Sequence, residues 1–120
     1  MSTRAQIRFA TREIGVSFND HPKVINAQFY NHSDGYPEGL GLEIAESLTK
    51  CSKISGWEIE PLHVKHADLE YIYYVWQHPM KDTWISIFEV EPFIDTVGKC
   101  IFVGTPQKLI NKYKQNTNND

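Results

Sequence analysis

Two segments, YIYYVWQ over Tyr71–Gln77 and TWISIFEV over Thr83–Val90, constrain the fold more than anything else in the chain. Both are dense in β-branched and aromatic residues, and only His78-Pro79-Met80-Lys81-Asp82 separates them. That arrangement predicts an antiparallel hairpin with large side chains on both faces. An isolated hairpin is marginal in water, so the remaining residues must supply further strands and a cover.

They carry the patterns to do so. Thr3 to Thr11 alternates, with Ala5, Ile7 and Phe9 on one face and Gln6 and Arg8 on the other. Val24 to Asn31 alternates again with Ile25, Ala27 and Phe29 inward, and the turn chemistry of Asn19-Asp20-His21-Pro22 makes the two runs a second hairpin. Leu40, Ile44 and Leu48, spaced by four with Ala45 alongside, predict an amphipathic helix over 40–49. Trp57 to Val64 reads as a strand that Pro61 confines to an edge, Ala67 to Glu70 as a connector and 92–99 as a loop. Cys100 to Val103 reads as a brief strand, and Thr105-Pro106 supplies an N-cap and first-turn proline for a last helix over 106–114 that buries Leu109, Ile110 and Tyr113. The fold expected is α+β: a single domain over 1–114, mostly antiparallel, with five or six strands and two short helices on one face. The polar residues 115–120 are expected to form a flexible C-terminal tail.

Composition narrows the function classes. With 120 residues, of which 41% are hydrophobic, the chain can bury one core without metal or disulfide staples. A net charge of −3 excludes extended binding along a nucleic-acid backbone, which needs a basic stripe. Cys51 and Cys100 lack CxxC spacing and read as reduced thiols of an intracellular protein. The start MSTRAQIRF lacks the apolar core of a signal peptide, and no window approaches the ~18 apolar residues of a membrane span. A cytoplasmic location without membrane contact is therefore expected.

Chemistry concentrates between Tyr30 and Gly41. His32 and Asp34 stand two apart at the end of an alternating run, where an imidazole and a carboxylate point the same way and can converge on one metal or one water. Gly35, Pro37, Gly39 and Gly41 shape the chain just before a helix, whose free N–H groups and glycine backbone suit close approach of a ligand. Arg4 is adjacent if the first two runs pair. The candidate ligand-binding set is Arg4, Tyr30, His32, Asp34, Gly35, Tyr36, Gly39 and Gly41, with His32 and Asp34 as catalytic candidates. The bland reading stands beside it: Asp34 makes an Asx turn, His32 bonds within the corner, and the glycines serve a turn. No P-loop lysine follows the glycines, and Glu38 would repel phosphate. His63, His66 and His78 form no HExxH or paired CxxC pattern with His32, and no GxSxG occurs. No metal or cofactor is expected.

The opening Met1-Ser2-Thr3-Arg4, together with Tyr30-x-His32-x-Asp34-Gly35-Tyr36-Pro37-x-Gly39-x-Gly41, resembles a group of short, uncharacterised proteins of phages and prokaryotic mobile elements. The likeness covers the first fifty residues. It implies a viral or mobile-element origin, hence a host cytoplasm, and by association a role in binding or blocking a host factor. The expectation is a small cytosolic binding protein whose Tyr30–Gly41 corner holds a small polar or anionic ligand or a host protein's loop. One alternative is a hydrolase or phosphodiesterase-like enzyme using His32 and Asp34. Another is protein–protein interaction, as a host-factor inhibitor, through the aromatic hairpin 71–90.

Overall fold

The computed structural model describes residues 3–13, 15, 17–50, 56–91 and 96–117. Strands β1 (Arg4–Thr11), β2 (Val24–Asn31), β3 (Trp57–Glu60), β4 (Leu69–Gln77), β5 (Thr83–Glu91) and β6 (Thr96–Gly104) form one sheet in the order β3-β2-β1-β4-β5-β6. A single π turn, Pro37–Gly41, leads into helix α1 (Leu42–Lys50), and α2 (Pro106–Thr117) closes the chain. The α+β class holds. Both expected hairpins form, β1–β2 and β4–β5. At the centre, β1 pairs with β4 in parallel, the one exception among otherwise antiparallel neighbours. A parallel pair needs a crossover, which here runs through α1 and β3.

Helices α1 and α2 pack on one face over Ala5, Ile7, Tyr73, Val75, Ile85 and Ile87, joined by Leu40, Ile44 and Leu109. This follows the alternation of β1, β4 and β5. Leu48, expected in the helix's apolar stripe, is 38% exposed instead, and Thr49 and Lys50 after it are exposed as well. The opposite face is also covered. Tyr30, Ile72, Tyr74, Trp76 and Phe88 form a second apolar cluster there, with Gln6 and Gln28 buried beside it. Two loops cover it: Phe18 lies against Trp76 and Trp84, His21 stacks on Tyr74, and Val64 and His66 come from the segment after β3. Arg12 lies 4.1 Å over the Trp76 ring and ties the first loop by donating to the carbonyl of Ser17, and burial lowers its pKa.

Several boundaries differ from the sequence reading. A bulge opposite Phe9 and Ala10 shifts β2 by one residue, so Ile25 faces the second cluster while Phe29 faces the helices. Pro61 does confine β3 to an edge, but the strand stops at Glu60 rather than running to Val64. Leu69 and Glu70 belong to β4, and β6 is nine residues long rather than a brief run. Helix α2 continues to Thr117, placing the expected tail boundary inside it, and 118–120 lie outside the described residues, as does Cys51. Among the described residues no helix is long and apolar enough to cross a membrane.

A polar and aromatic cluster around Tyr30

The Tyr30–Gly41 corner divides into two parts with different surroundings. Its second half is tied to the fold. The Gly35 N–H donates to the Thr3 carbonyl at 2.9 Å, and the buried Tyr73 hydroxyl donates to the Gly35 carbonyl at 2.6 Å. A Cβ on Gly35 would meet the Ala5 Cβ and the Thr3 oxygen at 2.9 Å, and one on Gly39 would meet the Asp34 oxygen at 2.6 Å. Both positions therefore need glycine for close approach of backbone to backbone. Gly41 is buried beneath the helices. Asp34 has φ 56, and its carbonyl accepts from the Leu40 N–H. The Asx turn here belongs to Asn31, whose side chain accepts from the Ser33 N–H, not to Asp34. The carboxylate of Asp34 and the ring of Tyr36 are turned to solvent.

The first half joins a different group of side chains. Tyr30, 6% exposed, is stacked on His66 with ring centroids 3.9 Å apart and makes a T-shaped contact with His32, centroids 4.5 Å apart. His32 pairs through Nε2 with Glu58 at 3.0 Å, and Arg4 pairs with Asp68 at 2.7 Å. Burial, followed by the charge of Asp68, holds the Tyr30 hydroxyl above its ordinary pKa and keeps it protonated. The sheet register explains the assembly: Gln6 lies opposite Tyr30, and Tyr30 lies opposite Glu58, so alternate residues of β1, β2 and β3 share this face. Arg4, Tyr30 and His32 are thus brought together, whereas Asp34, Gly35, Tyr36, Gly39 and Gly41 are not part of the cluster. The pairing of His32 with Asp34 as two halves of one site gives way to His32 with Glu58.

A second His–carboxylate pair lies deeper. His66 Nε2 is 2.8 Å from Glu60 Oε2, with side-chain exposures of 24% and 11%. The other carboxylate oxygen accepts from both Gln6 and Gln28, at 2.9 and 3.0 Å, and each glutamine also donates to the Val64 carbonyl. Arg8 extends the network by donating to Gln6 Oε1 and to the Tyr74 hydroxyl. Glu60 is fixed in one orientation before any ligand arrives. Sequence reasoning missed Glu60, Asp68 and the role of His66. Period two does place Gln6, Gln28, Glu58 and Glu60 on one face, which was the available signal.

The charges within the cluster favour one class of occupant. The cluster's guanidinium cations, Arg4 at the rim and Arg8 bonded to Gln6 beneath, stand against the carboxylates of Glu58, Glu60 and Asp68. Beyond Asp68 an open cleft of about 500 Å3 is lined by Glu70, Tyr71, Glu89 and Glu91. Burial, then the charges of Glu89 and Glu70, raise the Tyr71 pKa at this cleft. An anionic ligand would meet net repulsion here. Among the described residues no group of three His, Cys, Asp or Glu side chains is arranged to hold a metal ion.

The other candidate surfaces contribute less. Tyr73, Tyr74 and Trp76 of the aromatic hairpin are at most 2% exposed, so they build the core rather than an interaction face. His78 stacks on Trp84 at the far end of the sheet, away from a common site with His32. Comparison with protein-family models, curated proteins and solved structures found no match.

Proposed function

We propose that the protein is a small binding protein, of the viral or mobile-element setting its N-terminal motifs suggest, that holds a polar, neutral or cationic group against the His32–Tyr30–His66 stack. The group belongs to a small ligand or to a loop of a host protein. The observation that carries this reading is the preorganised Tyr30: one face lies on His66, His32 packs against it at a steep angle, and the surrounding carboxylates are already oriented. Rigid rings with fixed polar partners lose little entropy on binding, which is where affinity for a small group comes from. The anionic ligand considered from sequence has less support than a neutral or cationic one, because three carboxylates outnumber Arg4 and Arg8 around the stack.

Backbone and imidazole NMR shifts, followed during titration with nucleosides, guanidinium and ammonium compounds and neutral sugars, test the reading. Shifts that converge on Tyr30, His32 and His66, and vanish in Tyr30→Leu, are expected. Ligand-induced shifts that map elsewhere, unchanged by Tyr30→Leu, refute it.

A second reading, an enzyme of the hydrolase class, is favoured by one observation: Glu60 is braced by two buried glutamine amides and bonded to His66. A carboxylate that orients an imidazole in this way leaves the other ring nitrogen to serve as a general base. In that case Glu60→Gln lowers turnover by about 10²-fold or more with little change in KM. Turnover that survives Glu60→Gln undiminished removes the His66–Glu60 assignment.

A further inference from the structure

The two edges of the sheet are built differently. Strand β3 spans four residues, carries Glu58 and Glu60 and stops at Pro61, which are devices that blunt an edge against further pairing. Strand β6 spans nine residues and has no proline; its protection is limited to Lys99 and two irregularities in its pairing with β5, one on either side of Phe88. Its Val97, Ile101, Phe102 and Val103 pack on the core yet stay only half-buried, on both faces of the sheet. Alternate N–H and C=O groups of an edge strand point outward, and a strand added there would cover this apolar area as well. Lys112 of α2 reaches the β6 backbone and donates to the Ile101 carbonyl at 3.3 Å.

Beyond Gly98, beside which Glu91 of β5 lies, the surroundings are basic. Helix α2 has no acidic residue, its Lys108 stands beside Gly104 at the end of β6, and Lys99, Lys108 and Lys112 are all exposed. This strip lies on a chain whose net charge is −3. We infer that the outer edge of β6 accepts an extended acidic segment of a partner protein as a seventh strand. The incoming N–H takes the Ile101 carbonyl, and the displaced Lys112 ammonium turns to a carboxylate of the segment. Lys99 and Lys108 supply two further contacts. Apolar residues alternating with the acidic ones pack beside Val97, Phe102 and Val103, the mode of strand addition in which backbone bonds give affinity and alternate side chains give specificity. A second copy of this chain is a poorer occupant, since pairing β6 with itself brings lysine strips together.

The probe is a capped peptide of the strand's length, nine residues, alternating valine and glutamate. A valine–lysine peptide and a single-stranded oligonucleotide serve as comparators. The acidic peptide is expected to protect β6 amides from hydrogen exchange, with affinity that falls as salt rises. Lys99→Glu and Lys108→Glu, both at exposed positions, should keep the melting temperature and each weaken binding about five-fold. Equal binding of the two peptides, protection at β3 instead of β6, or no binding overturns the inference. So does displacement of the peptide by the oligonucleotide, or a β6-mediated dimer in the absence of peptide.

Discussion

A methyl group added at Gly35 would press on both the Ala5 side chain and the Thr3 carbonyl, 2.9 Å from each, with no flexible atom able to give way. Gly35→Ala should therefore cost ~1–3 kcal/mol, seen as a melting temperature several degrees lower. Tyr73→Phe removes the hydroxyl that satisfies the same residue's carbonyl and leaves a buried acceptor unpaired, a loss of ~1–3 kcal/mol by chemical denaturation. Asp34 behaves in the opposite way. Its φ of 56 is left-handed backbone that glycine adopts without strain, so Asp34→Gly should match or exceed the parent's stability by up to ~1 kcal/mol. Unimpaired ligand binding in that variant would assign Asp34 to the turn alone. These outcomes bear on what the sequence revealed. The glycine-rich corner was visible as a place where backbone comes close, but sequence could not say that the close neighbour is the start of β1 rather than a ligand.

Elements acquire their surroundings from parts of the chain that local patterns do not report. Alternation correctly put Gln6 and Arg8 opposite Ala5 and Ile7. What it could not supply was the return of residues 61–68 across that face, which turns Gln6 and Gln28 into buried braces for Glu60. For the same reason Arg4, Tyr30 and His32 were legible as neighbours from the β1–β2 hairpin, while His66 and Asp68 were not, since their arrival depends on a loop with no periodicity. The parallel β1–β4 pairing was equally hidden, as it is fixed by the whole crossover rather than by either strand's sequence. Removing the centre of the network exposes this dependence. Glu60→Ala strands two glutamine amides and His66 and should cost ~2–4 kcal/mol, with β3 and the following loop losing hydrogen-exchange protection first. Adding Gln28→Leu to that variant should cost less than it does in the parent, because the amide has already lost its partner.

For the molecule as a whole, the Cα radius of gyration of 13.6 Å equals the ~13.6 Å expected of a folded chain this long, so both sheet faces are packed into one body. Stability should respond to acid through His21, which lies against Tyr74 and Phe88 with Lys23, Arg8 and Asp20 around it. Burial, then Lys23, lowers its pKa, so below the ordinary value of about 6.5 the unfolded chain binds a proton that the folded one resists. This contribution is present above that pH and is lost as pH falls toward the depressed folded value. His21→Gln should flatten that part of a stability–pH curve. The central parallel pair has a different consequence, one of timing. β1 leaves the ribosome ~65 residues before the β4 strand it must lie beside, an interval of ~3–13 s at ordinary elongation rates. Throughout it, the nascent β1–β2 hairpin shows an unsatisfied strand edge to every other emerging copy. Synonymous codons that slow translation between β2 and β4 should raise the fraction of insoluble product without altering one residue of the protein.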